Sequence, residues 1–294
     1  MPVVPTISLH GGNKTVTLAD SGDSSFFLTQ GATGLGWGPL ELTTSPLASG
    51  GSVLRHRRLV EAEIMLPVFL GARDFYQRRL DRRTLEEVCD GLVEVRVSHP
   101  DGWARSRRGY LKDGLEGNYG AGEDSSDGQI LALTFTCPDP WWYGDEKVLV
   151  QKVEAGRKPF ITSFDGAATI PFFPVVLASS TVDGAYQLDI QGDAPAWPVW
   201  EIDGPGEDLL IEDTKTGNRI FIEGDFGETV TVDTKQGDIF SDSFTHGELW
   251  DRVSLDSVLF PLQPGNNSIR ITMVNARPNS EIRLRYREVF KAGH

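Results

Sequence analysis

Residues 259–271, Leu-Phe-Pro-Leu-Gln-Pro-Gly-Asn-Asn-Ser-Ile-Arg-Ile, join two apolar segments through Pro-Gly-Asn-Asn. Pro264 fixes φ at the turn, and Gly265 takes a positive φ without a Cβ clash. Beyond the turn, Ile269, Ile271 and Met273 alternate with Arg270 and Thr272. That is the period of a half-buried strand. The stretch predicts one corner of a β-sandwich, and it holds no reactive group.

Working outward, the chain from about residue 146 reads as short strands separated by Gly, Asp and Asn turns. Examples are "FFPVVLASS", "AYQLDIQG", "WPVWEIDG", "NRIFIEG" and "EIRLRYREVF". This is the pattern of a sandwich or jelly roll. Asp213-Thr-Lys-Thr-Gly-Asn218 is echoed by Asp233-Thr-Lys-Gln-Gly-Asp238, and the echo predicts two similar hairpin turns.

The first half differs. "RHRRLVEAEIMLPVFLG" predicts one long strand over 57–70. In the run that follows, Phe75, Tyr76, Leu80, Leu85 and Val88 recur at helical spacing, and Gly91 supplies a C′ stop. This is the one convincing helix. "LVEVRVSHPDGWARSRRGYLKDG" reads as strand, turn, strand, with His99-Pro-Asp-Gly102 as the turn. A polar loop leads to "ILALTFTCPDP", and Trp141-Trp142 closes the unit near residue 145. These adjacent aromatics fit either an interface anchor or the cap of the first core. The expected domains are 1–145 and 146–294, a division that suits 294 residues with 39% hydrophobic side chains.

No run of 18 apolar residues occurs, so no membrane-spanning helix is expected. The opening residues lack the pattern of a secretory signal. Cys89 and Cys137 are too few for a disulfide framework and are expected to be buried free thiols in a reducing compartment. The net charge of −14 disfavours non-specific binding to nucleic acid. It is also uneven: residues 55–108 hold 12 Arg, no Lys and 9 acids, whereas 201–265 hold 15 acids and 4 basic residues. Opposite patches of this kind either are solvated or meet neighbouring copies.

Catalytic patterns are missing. The five histidines make no metal-ligand spacing, and two cysteines cannot complete a zinc site. Glycine-rich residues 31–38 are followed by no Lys-Ser/Thr, and no GxSxG elbow occurs. No cofactor or metal is expected; an oxygen-rich Ca²⁺ loop at Glu123, Asp124 and Asp127 lacks EF-hand spacing. Chance carboxylate pairs in 201–256 make a weak case for a glycosidase. Trp197, Trp200 and Trp250 are candidates for a saccharide contact, although Trp197 and Trp200 fall on opposite faces of a regular strand, so one of them belongs to the core.

Three stretches together resemble the distal tail protein family of long non-contractile-tailed bacteriophages, whose members are tail-tip hub or minor tail proteins. They are "RRLVEAEIMLPVFLG" with the helix and "GLVEVRVSHPDGWARSRRGYL"; "LALTFTCPDPWWYG"; and the series from "QGDAPAWPVWEIDGPG" through "LFPLQPGNNSIRI" to "SEIRLRYRE". The order and spacing of many weak motifs carry the resemblance over most of the chain. It implies a mainly β protein, with a tail-tube-like N-terminal β-sandwich or barrel bearing one helix and a galectin-like or jelly-roll C-terminal β-sandwich. It further implies a virion protein of the tail tip, assembled in the bacterial host cytoplasm, without enzymatic activity or membrane insertion. Its partners would be itself, as a homohexameric ring, the tail tube protein, and a tail-associated lysin or tail fibre hub protein. DNA would pass through without specific binding. The alternative is a carbohydrate-binding tail module that engages host cell-wall saccharide. For a ring contact the sequence offers Arg78, Arg79, Arg82 and Arg83, anchored by Phe75, Tyr76, Trp141 and Trp142.

Overall fold

The computed structural model describes residues 5–19, 25–71, 74–117, 128–152, 182–227, 229–241, 249–276 and 280–294. The expected strand "FFPVVLASS" and the candidate residues Glu123, Asp124 and Asp127 lie outside these. The protein is mainly β and divides into two compact units, Met1–Asp145 with Val289–His294, and Glu146–Glu288. The closing residues therefore group with the first unit, where a simple cut after residue 145 would leave them in the second.

In the first unit, β1 (Thr6–Gly11) and β2 (Lys14–Leu18) form a hairpin turned by Gly12 and Asn13, both at positive φ. β1 pairs with β7 (Leu92–Ser98), which pairs with β8 (Ala104–Asp113); β8 pairs in turn with β9 (Gly128–Cys137) and, at Tyr143, with β10 (Trp142–Lys152). β9 pairs along its whole length with β6 (Ala62–Gly71), and β6 with β3 (Phe26–Leu28). A bridge between Ala19 and Phe27 returns the path to the end of β2 and closes a barrel. Ile64, Leu66, Leu131, Leu133, Phe135, Val93 and Val95 fill the interior and are fully buried, as expected where alternate side chains face one core.

Helix α1 (Phe75–Cys89) starts where Asp74 accepts a hydrogen bond from the Gln77 amide, satisfying one of the free N–H groups of the first turn. It buries Leu85, Val88 and Cys89 against the barrel. Gly91, at φ 113°, ends it as the sequence predicts. The fit is close at Gly11, where a Cβ would lie 2.1 Å from the Val88 carbonyl oxygen.

One expectation fails here. The segment 57–70 is two strands, β5 (Ser52–Leu59) and β6, separated at Val60 and Glu61. β6 enters the barrel, while β5 pairs with β4 (Leu40–Pro46) as a separate two-stranded sheet. The Val60 amide bonds the Pro39 carbonyl instead of continuing a ladder. Local alternation runs unbroken through this point, but the pairing partners change.

The second unit is a sandwich. One sheet runs β11 (Val182–Ile190), β17 (Gly265–Val274), β13 (Gly206–Asp213), β14 (Arg219–Phe226), all antiparallel. Facing it, β12 (Val199–Asp203) lies between β15 (Val230–Asp233) and β18 (Glu281–Phe290), and β16 (Asp238–Ser241) flanks β15. Leu188, Ile269 and Ile271 from the first sheet meet Trp200, Ile282 and Leu284 from the second around a narrow slot. In β17, Ile269, Ile271 and Met273 are buried, as their alternation predicts. The two echoing hairpin turns are near copies. Gly217 and Gly237 donate to the carbonyls of Asp213 and Asp233 at 2.8 and 3.0 Å, and each aspartate side chain accepts from the amide two residues on.

Cys89 and Cys137 are free and buried. Burial pushes the Cys89 thiol up to about 12 and that of Cys137 up to about 11. Neither is expected to react with a thiol reagent at pH 8 in the native state; rapid native labelling of both would contradict the packing. A raised folded-state value means that the unfolded thiols ionise first. Stability from this source is therefore intact below the ordinary thiol value and falls as pH rises through it.

Candidate assembly interface

The four candidate arginines of α1 separate into two classes. Arg78 is buried, with its guanidinium over the Phe75 ring. Arg82 donates to the Leu115 carbonyl, to Gln129 Oε1 at 3.1 Å and to Glu86 Oε1 at 3.2 Å. It pins the chain after β8 to the barrel. Arg79 and Arg83 are exposed and, among the described residues, form no ion pair. Spaced one helical turn apart, they alternate with Tyr76 and Leu80, 65% and 38% exposed, along one stripe. A groove of about 440 Å³ runs along it. The sequence identified the basic helix but could not tell its structural arginines from its exposed ones, because that depends on where residues 115 and 129 fold.

The two tryptophans at the end of the first unit also differ from each other. Trp141 is half-buried. Trp142 is fully buried, so it is no interface anchor. The Arg107 guanidinium sits 4.5 Å from its ring centroid. Gly293 packs against it so closely that a Cβ would lie 2.9 Å from the indole. Of the two readings offered by the sequence, Trp142 takes the core one. Burial also pulls Arg107 down to about 10, and the nearby charges of Cys137 and Asp139 offset that only in part.

Sequence reasoning missed the β4–β5 hairpin as a surface. Leu40, Leu42, Val53 and Leu54 on it are exposed. Its base is held by Trp37, with Arg57 and Lys291 over the ring at 5.0 and 5.1 Å. The available signal was "SPLASGGS", a turn between two apolar-polar runs, with Gly50 and Gly51 both at positive φ.

In the second unit, Trp200 is fully buried, Trp197 is 41% exposed and Trp250 is half-buried. The proposed saccharide contact therefore loses Trp200 to the core. The wide groove of about 910 Å³ in this unit is lined by Asp208, Phe221, Glu223, Asp225 and Arg252, and by none of the three tryptophans. Among the described residues no group of three or more His, Cys, Asp or Glu is placed to hold a metal ion, and no helix is long and apolar enough to cross a membrane.

Comparison with known proteins places these surfaces in context. Residues 191–290 match the family described as siphovirus-type tail component, C-terminal domain. Over that stretch the chain is similar to the C-terminal domain of this family. Its fold extends the likeness over both units. The crystal structure of the Dit protein of phage SPP1, described as a paradigm of the hub adsorption apparatus in phages infecting Gram-positive bacteria, is 14% identical with a TM-score of 0.59. The alignment covers 97% of this chain and 99% of that one. A chain of the phage P2 baseplate in its activated conformation with Ca is 13% identical at a TM-score of 0.51, covering 96% and 98%. No curated protein matches in sequence.

Proposed function

We propose that this chain is a structural hub of a bacteriophage tail tip. Six copies form a ring that joins the tail tube to the tail-associated lysin or fibre, and the ring leaves a channel for DNA. The observation that carries this reading is the whole-chain likeness to hub proteins, both units in order, with the family match in the second. The first unit, tail-tube-like in this reading, makes the ring. The stripe of Tyr76, Arg79, Leu80 and Arg83 supplies a contact, with Phe75 at its start. Arginine suits such a site because its planar fork bonds two acceptors at once and loses water more readily than an ammonium. The acidic second half favours passage of DNA over retention, since like charge repels phosphate.

The two arginine classes give a test. Charge reversal at Arg79 and Arg83 together is expected to lower the oligomeric mass measured by light scattering while leaving the melting temperature unchanged. Reversal at Arg82 is expected to lower the melting temperature itself. If the Arg79/Arg83 variant assembles like the wild type at equal concentration and salt, the stripe is ordinary surface.

A further inference from the structure

Alternation along β1 sends Ile7 and Leu9 into the barrel, where both are buried, and leaves Ser8 and His10 half-buried on its outer face. Residues two apart share a face of a strand, and Ser8 Oγ lies 2.7 Å from His10 Nε2. The hairpin to β2 sets Thr15 directly opposite His10, with Thr15 Oγ1 3.0 Å from Nδ1. Both ring nitrogens are thus engaged by hydroxyls. With Nδ1–H donating to Thr15, the Nε2 lone pair accepts the Ser8 O–H. On the other side of β1, β7 places Arg96 opposite Ser8 and Glu94 opposite His10. Paired residues point to the same side of a sheet. A cation, itself held by Asp145 at 2.7 Å, therefore stands beside the hydroxyl, and a carboxylate stands beside the imidazole.

A hydroxyl and a base within hydrogen-bond reach, the base oriented by a third group, is the arrangement that activates a serine. We propose that Ser8 is an acyl acceptor, with His10 as its general base and Thr15 as the positioning residue. The co-reactant is an activated carboxylic ester. Ser8 Oγ bonds to the acyl carbon while its proton passes to His10 Nε2. The tetrahedral adduct then collapses, the bond to the leaving alkoxide breaks, and the alkoxide takes that proton from Nε2. Acyl-Ser8 and an alcohol remain, and no oxidant or reductant enters. Arg96 favours the negative oxygen of the adduct, and Glu94 favours the imidazolium formed beside it. Thr15 holds the ring but brings no charge, so the acceleration belongs at the low end of the general-base range, about a hundred-fold. The site shares no residue with the stripe on α1 and is independent of the ring.

The test treats the full-length protein with p-nitrophenyl acetate at pH 8 and maps acetylated peptides against time by mass spectrometry. Ser52, exposed at the start of β5, is the internal reference. Ser8 is expected to acetylate about a hundred-fold faster than Ser52. His10→Gln should remove that advantage. Thr15→Val should reduce it and Thr15→Ser should restore it, a rescue that a merely structural role would not give. Melting followed by circular dichroism shows that each variant is folded, and the wild-type ratio of the two rates decides the matter if one is not. Equal rates at Ser8 and Ser52 overturn the proposal. So does a Ser8 rate that survives His10→Gln in a folded variant. Acetyl found on His10 and not on Ser8 overturns it as well, since the imidazole is then the nucleophile.

Discussion

Replacing Trp142 by alanine is expected to cost the first unit about 3–5 kcal/mol, the range for removing a large aromatic from a packed core. For a unit of this size that corresponds to a fall of roughly 10 °C in melting temperature. Three neighbours determine the effect. Trp142 is fully buried; Arg107 rests on its face; and Gly293 brings the chain terminus against its edge. Arg107 depends on that ring. Among the described residues its hydrogen bond runs to the Gly34 carbonyl at 3.2 Å, and its Nε and Nη2 atoms are buried without partners. Losing the indole leaves a buried cation with still less compensation. Trp142→Phe should recover part of the loss. Circular dichroism through the melt decides the matter: a Trp142→Ala protein that melts within about 2 °C of wild type, where the expected fall is several-fold larger, contradicts the packing described for the terminus.

Asn267→Ala is expected to destabilise the second unit by about 3 kcal/mol, because it strands several buried backbone groups at once. The side chain, 3% exposed, donates to the carbonyls of Gln263 at 2.7 Å and Gly265 at 2.9 Å, and accepts from the Gln263 amide at 2.8 Å. It thus clamps the turn that launches β17. Asn267→Asp keeps the acceptor but loses the donors and sets a negative charge among carbonyl oxygens, so it should be no better than alanine. Urea unfolding monitored by tryptophan fluorescence provides the check, and a loss below about 1 kcal/mol, the size of one ordinary hydrogen bond, would show that the turn closes without this clamp.

The features legible in the sequence are those set by near neighbours. Alternation from Ile269 to Met273 gave the strand, Gly91 the helix end, and the two Asp-Thr-Lys-x-Gly turns their shared geometry. Asn267 looked like one more turn residue, because its hydrogen bonds are visible only once the turn is folded around it. What stayed hidden depends on distant partners. The break at Val60 and Glu61 leaves the local pattern intact, since β5 and β6 differ only in which strands they meet. Arg79 and Arg82 are alike in sequence context, and only the position of residues 115 and 129 consigns one to the fold and leaves the other exposed. One of Trp197 and Trp200 is internal, as the sequence predicts, but not by strand parity: β12 begins at Val199, and Trp197 precedes it.

The central claim is that this chain is a ring-forming hub. Its most direct test is the mass of the full-length protein in solution, by native mass spectrometry, together with end-on views of the same sample by electron microscopy. The account predicts a species of six times the 32.3 kDa subunit, seen as a six-fold ring with an open centre. A single subunit mass at every concentration, with no ring on the grid, contradicts it.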